Sequence, residues 1–130
     1  MKTLYLVLIG VLSCQIAWAV PEFTEQNIIK AVAGEAGGQG IDEIIAHCQA
    51  IANRGSLEGV YGYRAKVSVA SLKRANAGLL ASKSSPDLVN GADHWLSDYD
   101  LEHSRESLIA WRHKAVYSVK VGSTRFYRLK

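Results

Sequence analysis

Two runs of helical hydrophobic spacing meet at Gly34-Glu35-Ala36-Gly37-Gly38-Gln39-Gly40. A glycine-rich break between amphipathic stretches commits a chain to a helix, a tight turn and a second helix. Ile28, Ile29, Val32, Ala33 and Ala36 recur at helical intervals, and Glu35, three positions after Val32, projects beside that apolar stripe. A carboxylate placed there is poorly solvated, and desolvation disfavours ionisation, as a general acid working near neutral pH requires. The glycines that follow let backbone or ligand approach closely. The same residues also fit a helix that simply ends, with the glycines as a C-cap and a loop.

The spacing predicts a first helix over residues 24–36, opened by Thr24 with Glu25 and Gln26 in its first turn. A second helix follows the turn, with Ile41, Ile44, Ile45, Cys48, Ile51 and Ala52 on one face, Asp42, Glu43, Gln49 and Asn53 opposite, and Gly55 as its stop. Residues 57–64 carry too many glycines for a regular element and read as a loop or a short irregular strand whose tyrosines are open to a ligand. Ser68 caps a third helix over residues 69–81, and the Ser, Pro, Asn, Asp and Gly of residues 82–93 form a loop leading into Asp93-His94-Trp95. Residues 97–105 read as irregular, with a helical turn somewhere in 104–111. Residues 115–121 and 124–129 flank Gly122-Ser123 as a two-residue hairpin. The fold class is therefore α+β, mainly helical, with a small C-terminal antiparallel hairpin or sheet.

The 130 residues leave room for one core and one domain. Residues 1–19 are set apart from it: Lys2 precedes an uncharged run that ends in Ala17-Trp18-Ala19, a small-x-small cleavage pattern, so they read as an export signal and residues 20–130 as the domain. Val11-Leu12-Ser13-Cys14 offers a rival, a lipoprotein signal that would leave a lipid anchor on Cys14. Either reading makes the domain secreted, periplasmic or envelope-associated. No later stretch approaches the roughly 20 apolar residues of a membrane span. Cys48 then has no partner, so no internal disulfide holds the fold. Of 15 basic and 12 acidic residues, only Lys2 lies in the export segment, which leaves the domain at +2. That bias suits an anionic wall polymer or a membrane surface and falls short of the basic clustering of a nucleic-acid binder.

Glycoside cleavage needs an acid to protonate the leaving oxygen, and usually a second group as nucleophile or base. Glu35 fits the first role, whereas Asp42, Asp93 and Asp98 are undistinguished candidates for the second. An enzyme that uses the sugar's own C6 hydroxyl needs no fixed second carboxylate. His47, His94, His103 and His113 match no standard metal-ligand spacing, and His47, at the border of an apolar stripe, reads as packed. Cys48 reads as a small core residue, and no serine lies in a G-x-S-x-G elbow. Trp95, Trp111, Tyr117, Phe126 and Tyr127 fall in the loop and hairpin half, where sugar rings could stack on them or where they could pack a small sheet against the helices.

Four blocks in order, Val32-Ala33-Gly34-Glu35-Ala36-Gly37-Gly38-Gln39-Gly40, Ile51-Ala52-Asn53-Arg54-Gly55, Asn90-Gly91-Ala92-Asp93-His94-Trp95 and Val121-Gly122-Ser123-Thr124-Arg125-Phe126-Tyr127-Arg128, resemble the SleB-like cell wall hydrolases, which include the catalytic domain of spore cortex-lytic enzymes. The resemblance implies a compact lysozyme-like domain acting on the glycan strands of peptidoglycan as a lytic transglycosylase or muramidase. It would work as a monomer without a cofactor. It implies Glu35 as the acid/base and Gln39, Asn90, His94, Trp95, Phe126 and Tyr127 as substrate-binding residues. The chain departs from the family at Asp93, where a neutral residue is more usual, so Asp93 is a candidate second carboxylate; it departs also in the acidic stretch 98–106. A wall- or partner-binding domain on the same fold, or a metal-dependent amidase of the stem peptide, remain the alternatives.

Overall fold

The computed structural model describes residues 19–129, so the expected export signal up to residue 18, with Cys14, lies outside the described residues. Three longer helices build one side of the domain: α1 (Glu25–Ala36), α2 (Ile41–Arg54) and α3 (Val69–Ser82). Three of their boundaries have a clear local cause. The Thr24 hydroxyl accepts from the Asn27 N–H, the Ser68 hydroxyl accepts from the Ser71 N–H, and Gly55 closes α2 in the left-handed region at φ 74°. The helices meet around Val32, Ile44, Cys48, Ile51 and Ala75, and burial of each Ile or Val is worth about 1.5–3 kcal/mol. Gly78 lets α3 lie directly on Ile44, since a Cβ there would come within 2.3 Å of the Ile44 methyl.

The second side is a sheet of β1 (His94–Ser97), β2 (Val116–Val121) and β3 (Thr124–Arg128), antiparallel in the order β1-β3-β2. The hairpin appears where expected, whereas β1 replaces part of a stretch expected to be loop. A register shift at Ser118 separates Tyr117 opposite Tyr127 from Val119 opposite Phe126. Without that extra residue both β2 side chains would share a face. With it, Trp95, Phe126 and Val119 line up toward α2, and His94, Tyr127 and Tyr117 line up on the reverse. The Ser118 hydroxyl uses the bulge to donate to the Val89 carbonyl at 2.8 Å.

Between β1 and β2 the chain forms α4 (Asp98–His103), α5 (Glu106–Ile109) and a 3-10 turn, Ala110–His113. The first of these was expected to be irregular. It forms because Ser97 and Asp100 make a reciprocal capping box.

The polar face expected for α2 needs one correction. Glu43 is buried, and its Oε1 accepts from the Ser123 N–H (3.2 Å), the Ser123 hydroxyl (2.9 Å) and the Thr124 hydroxyl (2.6 Å), which ties the hairpin turn to the first turn of α2. Ile41 and Ala52, expected in the core, are exposed instead.

Cys48 is the free thiol among the described residues, and burial pushes its pKa up to about 12. A thiolate-dependent reagent at pH 8 should leave it unlabelled in the native protein and label it at once in denaturant; peptide mapping for Cys48 checks this. Rapid native labelling would contradict the packing described. No helix among the described residues is long and apolar enough to cross a membrane.

Candidate active site

Glu35 occupies the last turn of α1, and the 3-10 turn Tyr61–Arg64 packs across that helix at a crossing made of two glycines. A Cβ on Gly34 would fall 1.9 Å from the Gly62 carbonyl oxygen, and one on Gly62 would fall 2.6 Å from Glu35 Cγ. That contact brings the Gly62 N–H to Glu35 Oε1 at 2.8 Å. From the other side the indole N–H of Trp95, on β1, donates to Glu35 Oε2 at 3.2 Å. The apolar stripe therefore does not enclose this carboxylate; it is half-buried and held by two N–H donors. Of the three glycines after Glu35, Gly37 admits Ser71 of α3, with a Cβ there 2.7 Å from the serine Cβ, while Gly38 and Gly40 have nothing within 4 Å of that position.

Glu35 opens into a cleft of about 340 Å³. With Glu35 it is lined by Arg54 at the end of α2, by Gly59 and Tyr61, by His94, Trp95 and Leu96 of β1, and by Asp100, Ser104, Leu108, Ile109 and Trp111 from the segment between β1 and β2. Arg54 ends α2 with its guanidinium 5.6 Å from the Trp95 ring centre, donating to the Glu58 carbonyl and to the Asp93 carbonyl at 3.5 Å. Burial lowers its pKa from the ordinary arginine value, and the charges of Asp93, Glu58 and Glu35 oppose that shift. His47, buried beneath, meets Trp95 edge-on at 5.5 Å and Phe126 at 5.3 Å, with Nδ1 2.7 Å from the Glu43 carbonyl oxygen. A carbonyl only accepts, so Nδ1 carries a hydrogen. Desolvation lowers the His47 pKa, against opposing contributions from the Glu43 carbonyl and the Glu35 and Glu43 charges, and so favours the neutral ring.

Of the residues expected to bind substrate, the fold brings His94 and Trp95 to Glu35 and the others elsewhere. Phe126 is fully buried between the sheet and α2, packed with Ala46, Ala50 and Val89. Tyr127 is 8% exposed and lies behind Trp111, ring centres 5.5 Å apart. Asn90 sits at φ 51° in a turn where the Asp87 carboxylate collects the N–H groups of Val89, Asn90 and Gly91, outside the cleft lining. Gln39 is exposed in the turn after α1, its carbonyl bound by Arg74, and likewise outside the lining.

Asp93 is 2% exposed and absent from the cleft wall. Its Oδ1 accepts from the Leu129 N–H at 2.9 Å and lies 3.1 Å from His94 Nδ1, so it fastens the start of β1 to the chain end beyond β3. The expectation of a second carboxylate in the cleft at Asp93 is thereby corrected. The carboxylate that does line the cleft with Glu35 is Asp100, whose Oδ2 accepts from the Ser97 N–H (3.2 Å) and hydroxyl (2.8 Å). Its sequence signal was the S-x-x-D spacing of a helix cap rather than any catalytic pattern. Arg54 was visible only as part of a block.

Among the described residues no three His, Cys, Asp or Glu side chains cluster in a way that could hold a metal ion; His103 stacks on Tyr99, and His113 lies 2.5 Å from Glu106. No family model, curated protein or solved structure matches this chain.

Proposed function

We propose that this domain is a peptidoglycan glycosidase of the lytic transglycosylase type, cleaving between N-acetylmuramic acid and N-acetylglucosamine with Glu35 as its one acid/base. The observation that carries the reading is a carboxyl group held by two N–H donors in an open cleft that Tyr61, Trp95 and Trp111 also line. Aromatic faces of this kind accept the apolar faces of sugar rings and leave the hydroxyls free to hydrogen bond.

In this reading the Glu35 carboxyl protonates the bridging oxygen, and the C1–O bond breaks with its electron pair going to the departing sugar. The resulting carboxylate takes the proton of the muramic acid C6 hydroxyl as O6 bonds to C1. The product is a 1,6-anhydro end, Glu35 is protonated again, and no water is consumed. Two facts favour this internal nucleophile over hydrolysis by a carboxylate pair: Asp93 is fastened away from the cleft, and the Asp100 carboxylate is engaged in a helix cap.

Mass analysis of muropeptides after digestion of purified sacculi tests the reading. Anhydro ends, lighter than reducing ends by one water, are expected. Reducing ends would assign a muramidase, free stem peptides with chelator sensitivity an amidase, and binding without release a wall-binding domain.

A further inference from the structure

We propose that Trp95 is a positioning residue, whose indole N–H fixes the Glu35 carboxyl and leaves its acidic proton only positions that face the cleft. This rests on the reading of Glu35 as the acid/base. An indole N–H and a backbone N–H can donate and cannot accept. Glu35 Oε1 is occupied by the Gly62 N–H at 2.8 Å and Oε2 by the Trp95 N–H at 3.2 Å. A proton on the carboxyl must therefore use a lone pair that neither donor occupies, and Glu35 is among the residues that line the cleft. The longer bond marks Oε2 as the oxygen that gives up less when it is protonated.

Trp95 is itself held firmly enough to do this. Its backbone belongs to β1, in register with Phe126; His47 meets its ring edge-on at 5.5 Å; the Arg54 guanidinium lies 5.6 Å from the ring centre. The arrangement calls for tryptophan in particular: phenylalanine would fill the same wall without a donor, and a tyrosine hydroxyl could accept the proton that the indole refuses.

Trp95→Phe keeps a ring between His47 and Arg54 and removes the donor. The charged and titratable groups facing Glu35 remain in the variant: Arg54 and His47 from α2, His94 from β1 and Asp100 from α4. On sacculi, kcat should fall about tenfold, the worth of one ordinary hydrogen bond, with KM changed less than about twofold. The pH–rate profile should change with it, because the carboxyl group has lost one of its two donors. Unchanged kcat and pH profile, or a raised KM with unchanged kcat, would overturn the proposal.

A second measurement needs neither a folded Trp95→Phe variant nor a substrate. In the unaltered protein the Trp95 indole N–H resonance should move with pH, and Glu35→Gln should abolish that dependence. An indole resonance that ignores pH, or that titrates alike in Glu35→Gln, would refute the contact. A fully active Glu35→Gln would remove the functional reading instead, while the titration still reports on the bond.

Discussion

Glu35→Gln is expected to lower turnover on purified sacculi by about 10²–10⁴-fold, the usual worth of a positioned general acid, while the protein still folds. Glutamine keeps the chain length and one acceptor oxygen, so the shorter bond, from the Gly62 N–H at 2.8 Å, can persist. Its amide nitrogen then faces the Trp95 indole, so one half-buried donor is left unmatched, at a cost of about 1 kcal/mol. The variant should thus melt a few degrees lower at most and still bind wall polymer. The amide cannot deliver a proton to the leaving oxygen, and turnover falls for that reason alone. Full activity in a folded Glu35→Gln protein, read from release of soluble muropeptides, would end the glycosidase assignment. Asp93→Asn is the companion: it should disturb the tie to Leu129 and spare the chemistry, because Asp93 does not reach the cleft.

Gly34→Ala should damage both stability and activity, although it adds a single methyl group and places the best helix former inside a helix. Its Cβ would sit 1.9 Å from the Gly62 oxygen and 2.5 Å from the Gly62 carbonyl carbon, which are backbone atoms that no rotamer change can move aside. The turn Tyr61–Arg64 must lift off α1, at a cost of about 1–3 kcal/mol or more for overpacking. That same displacement carries the Gly62 N–H away from Glu35 and shifts Tyr61 in the cleft wall. A misplacement on the order of 1 Å near the reacting group can cost about 10²-fold in rate. Urea denaturation and turnover on sacculi should therefore fall together. Gly38→Ala, with open space around its Cβ, should leave both nearly unchanged. Equal behaviour of the two variants would mean that the α1 crossing is looser than described.

The helical half of the fold was legible because its causes are local. The apolar stripes of α1 and α2, the Thr24 and Ser68 caps and the Gly55 stop act within a turn or two of one another. β1 was not legible: four residues, His-Trp-Leu-Ser, show no alternation, and they become a strand because β3 pairs with them some 30 positions later. Glu43 was read as solvent-facing from its polarity and its place opposite the stripe. Its burial depends on three donors from Ser123 and Thr124, which arrive with the hairpin. Phe126 and Tyr127 fitted either a sugar platform or the packing of the sheet, and the family resemblance implied the former; the structure shows packing, because their burial is decided by α2 and Trp111.

For the site itself, residue order determined that a carboxylate would end an amphipathic helix beside a glycine-rich turn. Tertiary structure alone decided which groups meet it: a backbone N–H 27 positions later, an indole 60 positions later, and not the aspartate two residues before that indole. Side-chain periodicity records which face of an element is buried, and it carries no information about what that face is buried against. Partners separated by tens of residues are chosen by packing, here by two glycines small enough for α1 and the 61–64 turn to touch and by a one-residue bulge that sets which face of the sheet each aromatic takes.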